Sequence, residues 1–424
     1  MVRFLVAPIL LALAVLPSIA GEKPPNVVFI ISDDQGWTDY GFMGHQHVQT
    51  PNLDKLASQS LTFTRGYVPS SLCCPSLASL ITGRYPHQHK VTSNDPPNPR
   101  NLSGAEFQKS AEFLDGREAM TKHLEAVPTL PRELAKAGYL SFQSGKWWQG
   151  DFSRGGFTHG MTKGNRHGDA GLDIGRKTMQ PISDFLAIAK KEDKPFFLWY
   201  APMMPHTPHN PPERFLTKYK DKTPSVHVAK YWAMIEWFDE TCGQLLDTLE
   251  KEKLAENTIV IYLADNGWTQ DPAKGDSIRS KRTPYDAGLR TPILVKWPNE
   301  VKPAASDEPM SSIDIMTTIL PAVGLKSPKD LDGVNLLAED RPKRDRVSGA
   351  CFAHNAVDLN NPAKNLEARW MVLGDWKLIV PVKGEPELYD LKDDPAELKN
   401  LAAMKPDAVK RLAIALDDWW KPGL

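Results

Sequence analysis

The chain has little of what would mark a small disulfide-stapled scaffold or a polyanion binder. Its 424 residues hold 4 cysteines, too few and too scattered to build a disulfide framework. No charge of one sign prevails. The 51 Lys and Arg against 52 Asp and Glu leave a formal net charge of -1. That balance excludes a general nucleic-acid-binding surface, while a local basic cleft stays open. After Ala20 the sequence holds no apolar run long enough to cross a bilayer, which takes about 20 residues, so no stable membrane span is expected. Internal repeats and low-complexity tracts are also missing.

What is present is ordinary globular composition, 41% hydrophobic and 24% charged. That is enough for one large α/β domain, or a large domain with a small one. The N-terminus reads as a secretory signal: Arg3, an apolar run over residues 4–16, then the small-residue site Ser18-Ile19-Ala20. The expected organisation is therefore a signal peptide at 1–20, a catalytic domain at 21–345 and a C-terminal subdomain at 346–424. The mature protein would be secreted or periplasmic.

Asn26-Val27-Val28-Phe29-Ile30-Ile31-Ser32 is a β-branched and aromatic run, as a buried parallel strand requires, and it stops at Asp33-Asp34. Residues 194–200 and 257–263 carry the same signal, and the second run is followed closely by Asp265-Asn266. Helical patterns begin at Thr50-Pro51, run over 129–138 with Gly138 as the stop, and cover 228–252. Strand, helix, strand in this order predicts a doubly wound sheet. After Leu325 the composition changes. Strand candidates at 369–381 and 387–391, then an amphipathic helix over 407–419, predict a small antiparallel subdomain.

Carboxylates at the C-terminal ends of central strands sit where open α/β sheets bind ligands. One Asp-Asp after a strand is commonly only a turn or cap. Two acidic pairs, each after an apolar strand, point to a shared cation. Asp33, Asp34, Asp265 and Asn266 offer only oxygen, which suits Ca²⁺, with Mg²⁺ or Mn²⁺ as alternatives, and disfavours zinc.

The segment Leu72-Cys73-Cys74-Pro75-Ser76-Leu77-Ala78-Ser79-Leu80-Ile81-Thr82-Gly83-Arg84 resembles the signature of type I sulfatases, Cys-x-Pro-Ser-Arg-x-x-Leu-x-Thr-Gly-Arg. Residues 25–36, 258–267, 281–292 and the Glu387-Leu388-Tyr389-Asp390-Leu391 tail resemble further segments of the same family, within the alkaline phosphatase-like superfamily. The resemblance implies an alkaline phosphatase-like doubly wound mixed sheet flanked by helices, with a small C-terminal antiparallel subdomain and helix. It implies that Cys73 is oxidised to formylglycine, whose hydrate attacks sulfur. It puts Asp33, Asp34, Asp265 and Asn266 on the metal, and Lys146, His206 and Lys281 against the sulfate. It further implies a sulfated small molecule or glycan as substrate and a formylglycine-generating or similar oxidising enzyme as maturation partner.

Two residues depart from the family pattern. Leu77 stands at the signature's Arg, which helps specify oxidation and supports the formylglycine. Trp148 stands where the family carries a His, two residues after the Lys matched by Lys146. Neither side chain can form a charge-assisted bond or take a proton. His159, His167 or His206 would then have to supply the base for sulfate release. Two other readings stay open. One is a metal-dependent phosphoester or phosphonate hydrolase with unmodified Cys73, the other a catalytically silent sulfated-glycan-binding protein. Trp147, Trp148, Trp268 and Tyr285 are candidates for an aromatic wall against a sugar ring.

Overall fold

The computed structural model describes residues 23–341 and 343–423. The signal-peptide expectation at 1–20 lies outside the described residues. Nine strands, β1 (Asn26–Ser32), β2 (Leu61–Tyr67), β3 (Leu140–Gly145), β4 (His159–Gly160), β5 (Phe196–Ala201), β6 (Thr258–Ala264), β7 (Arg290–Lys296), β8 (Ala304–Ser306) and β9 (Met310–Ser311), form one sheet. Its order is β4-β3-β5-β1-β6-β7-β2-β8, with β9 also on β2. Strands β4, β3, β5, β1 and β6 run parallel. Strand β7 is antiparallel to both β6 and β2, so the sheet is mixed.

The central strands are apolar on both faces because helices cover both. Val27, Phe29 and Ile31 of β1 pack into one core with Leu77, Leu80 and Ile81. Val28 and Ile30 point the other way, into a core with Phe238, Leu245 and Leu249 of the helix Val226–Lys251. Strand β6 alternates in step, with Ile259 and Ile261 on the first face and Val260 and Tyr262 on the second. This alternation along continuous hydrophobic runs is what a doubly wound sheet demands.

A second sheet, β10 (Arg346–Phe352), β11 (Leu366–Leu373), β12 (Trp376–Pro381) and β13 (Glu387–Asp390), is antiparallel throughout. One face packs Trp370, Val372 and Ile379 against Tyr67, at the end of β2, and Leu289, just before β7. The other face takes Leu412 and Leu416 of the helix Pro406–Trp419. The stretch 369–381, expected as one strand, is two: Gly374 at φ 59° turns the chain between Leu373 and Trp376. Among the described residues no helix is long and apolar enough to cross a membrane.

Candidate active site

The site forms where β1, β6, β3 and β5 end at the same edge of the large sheet. Strands β1 and β6 run parallel in register through Ser32 and Ala264, so Asp33-Asp34 and Asp265-Asn266 emerge side by side. Asp34 takes a left-handed φ of 61°, turning its backbone N–H toward Asp265 Oδ1 at 3.3 Å. Lys146 follows β3. The preceding Gly145, at φ 82°, lies so close to Ala201 that a Cβ there would sit 2.0 Å from the Ala201 carbonyl oxygen. His206 follows β5. Cys73 opens the helix Cys73–Thr82 and is buried. Lys281 comes from the loop between β6 and β7, pinned where the Arg282 N–H donates to the Ser71 carbonyl at 3.1 Å.

These side chains meet. Lys146 Nζ donates to Asp33 Oδ1 at 2.6 Å and lies 3.3 Å from Asp265 Oδ2. Lys281 Nζ lies 2.6 Å from Asp34 Oδ1. His206 Nδ1 lies 2.6 Å from the Thr207 carbonyl, to which it donates, and His206 Nε2 is 3.5 Å from Asp34 Oδ2. Burial pushes Asp33 up against the pull of Lys146, and pushes Asp265 up to about 7, with Asp33 adding to the effect. Burial opposes the Asp34 charge as well, but Lys281, His206 and Lys146 outweigh it and hold that carboxyl below its usual range. Burial also raises the Cys73 thiol to about 12, with Lys146 and Lys281 pulling the other way. An unmodified Cys73 is therefore a thiol rather than a thiolate at neutral pH.

The donor set fits a hard cation. Asp33 Oδ2, Asp34 Oδ2 and Asn266 Oδ1 are buried and have no hydrogen-bond partner, a costly arrangement unless something cationic takes them. One potential ligand atom from each of Asp33, Asp34, Cys73 and His206 lies within 4.8 Å of the others. Three buried carboxylates face two ammonium groups, so a divalent ion would not face a net positive set.

All eight residues singled out from the sequence come together here. The remaining candidates divide. Trp148 and Trp268 line the cavity, as does His167. Trp147 is buried in the core against Phe157 and Trp199, and Tyr285 packs on Tyr389 and Arg279 away from the cavity. His159 rests on Phe185 at the edge of the sheet, too far out to act as the base. Leu77 is 3% exposed and belongs to the apolar core. From another helix, Arg117 donates to the Asn94 carbonyl at 2.9 Å and stands 5.4 Å over the Trp148 ring. Asn94 Oδ1 in turn accepts from the Cys74 N–H at 2.9 Å.

Sequence reasoning missed Asn94, Asp95, Arg166, Asp276 and His354, which lie in or beside the cavity. Arg166 opens the short 3-10 helix Arg166–Asp173, the others sit on loops without periodicity, and His354 arrives from the end of β10 in the other sheet, so no local signal marks them.

Residues 25–325 match the family described as Sulfatase, and residues 277–417 match N-sulphoglucosamine sulphohydrolase, C-terminal. Human arylsulfatase A is 30% identical, across 78% of this chain and 70% of its own length. The N-acetylgalactosamine-6-O-sulfatase of Bacteroides thetaiotaomicron is 25% identical, across 93% of both chains. Among solved structures, one in complex with its substrate D-glucosamine-2-N,6-O-disulfate superposes with a TM-score of 0.74 at 19% identity, covering 93% of this chain and 97% of that one. Another, in complex with a neocarrahexaose, gives 0.74 at 21% identity, covering 94% and 93%. Both share the fold.

Proposed function

Because this chain belongs to the sulfatase family and is a sulfuric ester hydrolase, we propose that it hydrolyses a sulfate monoester to free sulfate and an alcohol at the site built around Cys73. The observation that carries this reading is the meeting of Cys73, at the start of its helix, with two lysines and the unpartnered carboxylate oxygens of Asp33 and Asp34. In this reading Cys73 is matured to formylglycine, which supplies a hydroxyl nucleophile where the buried thiol would be protonated. Asp33, Asp34, Asp265 and Asn266 hold one hard divalent cation, Ca²⁺ by preference, which supplies positive charge to the sulfuryl oxygens.

The chain's own groups do the rest. Lys146 and Lys281, both buried and both held protonated by neighbouring carboxylates that outweigh the cost of burial, offset negative charge spreading over the sulfuryl oxygens in the transition state. His206, its Nδ1 committed to Thr207, presents Nε2 toward the same space. The buried indole of Trp148, 5.8 Å from Lys146 Nζ, restricts water on that side, which strengthens each of these interactions. The chain is read as exported, and as divided at 345/346, where the first strand of the second sheet begins.

Mass spectrometry of the tryptic peptide spanning Cys73, from protein made with a formylglycine-generating enzyme, tests the maturation step. Aldehyde at Cys73, with aryl sulfate turnover abolished in Cys73→Ala, is the expected result. Full turnover in Cys73→Ala would overturn the reading.

A further inference from the structure

The sulfate-binding groups account for the floor of the cavity and leave the departing alcohol without partners. We propose that this alcohol is an uncharged sugar, held by the two arginine–aspartate pairs Arg166–Asp95 and Arg282–Asp276 with Trp268 beside it. The proposal rests on sulfate ester hydrolysis as the activity and names the other half of its substrate.

Size sets the first limit. The cavity is open on one side and holds about 230 Å³, below the roughly 300–1,000 Å³ of clefts that bury drug-sized ligands. One small ring fits within it beside the sulfate, and anything longer has to extend through the open mouth into solvent. Chemistry sets the second. Among the described residues, the large apolar side chains lining the cavity are the indoles of Trp148 and Trp268, with no aliphatic side chain among its walls. Arg166 and Arg117 already cover the Trp148 ring, so the edge of Trp268 that lines the cavity is the aromatic surface left for the apolar C–H groups of a pyranose.

Arg166 is held on every side. Asp95 takes its Nε at 2.9 Å and its Nη2 at 2.8 Å. Its Nη1 is 2.7 Å from His167 Nε2, and its guanidinium carbon stands 4.8 Å over the Trp148 ring. The loop carrying it is locked onto the lysine turn: the Trp147 N–H donates to the His167 carbonyl at 3.2 Å. Gly168, at φ 120°, packs so tightly on Gly145 that a Cβ would lie 2.5 Å from the carbonyl oxygen. His167 itself, which is not glycine, is held at φ 69°, strain of a kind that collects where a side chain must be aimed. Asp95 is fixed in turn by the second sheet, because its N–H and that of Asn94 donate to the His354 carbonyl at 3.2 and 3.0 Å. Such fixing lowers the ordering cost when a ligand binds.

The second pair is looser. Arg282 Nη2 lies 3.4 and 3.3 Å from the two Asp276 oxygens, and both residues line the cavity. Each pair has no net charge and sets donors beside acceptors, which matches hydroxyls that both give and take hydrogen bonds. A carboxylate or a second sulfate on the ring would meet Asp276 beside the arginines, with the Asp95 charge held behind Arg166. The paired mouth therefore favours an uncharged ring.

The test measures binding and turnover together. Cys73→Ala protein is titrated by calorimetry with a monosulfated neutral hexose, the same hexose with a second sulfate, a monosulfated uronic acid and 4-nitrocatechol sulfate. The proposal expects the neutral hexose to bind at least tenfold tighter than either doubly charged sugar. Adding Arg166→Lys, which keeps the charge and loses the fork, should weaken the hexose at least tenfold and 4-nitrocatechol sulfate less than threefold. Trp268→Phe, which keeps an aromatic ring, should weaken the hexose alone. Equal weakening of both ligands, or tighter binding of a doubly charged sugar, would overturn the proposal. Turnover assays on the matured wild type are read separately. If no sulfate is released from any ester, the hydrolase reading fails, while the binding series still decides the sugar site.

Discussion

Replacing Lys377 by methionine should unsettle the junction between the two sheets, and its cost follows from what the ammonium touches. Lys377 is fully buried, 2.8 Å from Asp286 Oδ1 and 2.9 Å from Glu397 Oε1. Asp286 Oδ2 accepts from the Tyr67 hydroxyl at 3.0 Å, and the Asp286 N–H donates to Glu397 Oε2 at 2.6 Å. Methionine preserves the length of the side chain and leaves two buried carboxylates facing each other. Breaking a buried pair from one side costs about 3–5 kcal/mol. At about 2.1 cal/mol/K of unfolding entropy per residue, a chain of 424 residues melting as one unit loses about 3–6 °C. The effect should also depend on pH. Burial, reinforced by Asp286, pushes Glu397 up to about 7 from 4.5, with Lys377 pulling it down. A raised carboxylate contributes stability below its unfolded pKa and loses it as pH rises through its folded pKa. Without Lys377 that loss deepens, so the gap between variant and wild type should widen from pH 6 to pH 8. Thermal unfolding followed by circular dichroism reads both effects, and Lys377→Met with Asp286→Asn should recover part of the loss. A melting temperature within 1 °C of wild type at both pH values would refute the reasoning.

Other consequences follow from the same structure. If Asp33, Asp34, Asp265 and Asn266 hold a divalent ion as proposed, Asp265→Asn or Asp34→Asn should lower the protein's divalent-ion content, seen by inductively coupled plasma mass spectrometry, and lower kcat/KM by about 10³-fold or more; divalent-ion content equal to wild type in both would argue against these ligands. His89 is buried, its Nδ1 accepts from the Val91 N–H at 3.1 Å and its Nε2 lies 3.0 Å from Ser79 Oγ, so no lone pair is free for a proton. Burial lowers it to about 3 from 6.5; its contribution is complete above 6.5 and fades as pH falls, costing about 2–3 kcal/mol at pH 4.5. His89→Gln should flatten that acid limb in melts at pH 7.5 and 4.5, and an unchanged slope would count against it. Gly145→Ala, with its Cβ 2.0 Å from the Ala201 oxygen at φ 82°, should cost at least about 3 kcal/mol or prevent soluble expression; a normal melt would show that the lysine turn yields.

Local patterns along the chain marked the strands that end at the site and most of the side chains the fold brings together there. Residues 26–32 and 257–263 are long apolar β-branched runs that suit only a sheet covered on both faces, and the carboxylates near their ends mark its ligand-binding edge. Cys73, Lys146, His206 and Lys281 were legible because each lies in a local pattern that resembles a known family. Periodicity likewise placed the helix Val226–Lys251 to within two residues. Hairpin Leu366–Pro381 was not resolved, since its turn is two residues inside one apolar stretch. What surrounds the reacting groups was decided only in three dimensions. Tertiary packing buries Leu77 in the core, brings Arg117 beside Trp148 from a distant helix, and moves Trp147 and Tyr285 out of the cavity. It also brings Asp95, Arg166 and His354 to the cavity from separate loops and from both sheets. The physical reason is the range of the forces. Strand and helix patterns are written between near neighbours along the chain, while a pocket wall depends on which loops the packed sheets bring together.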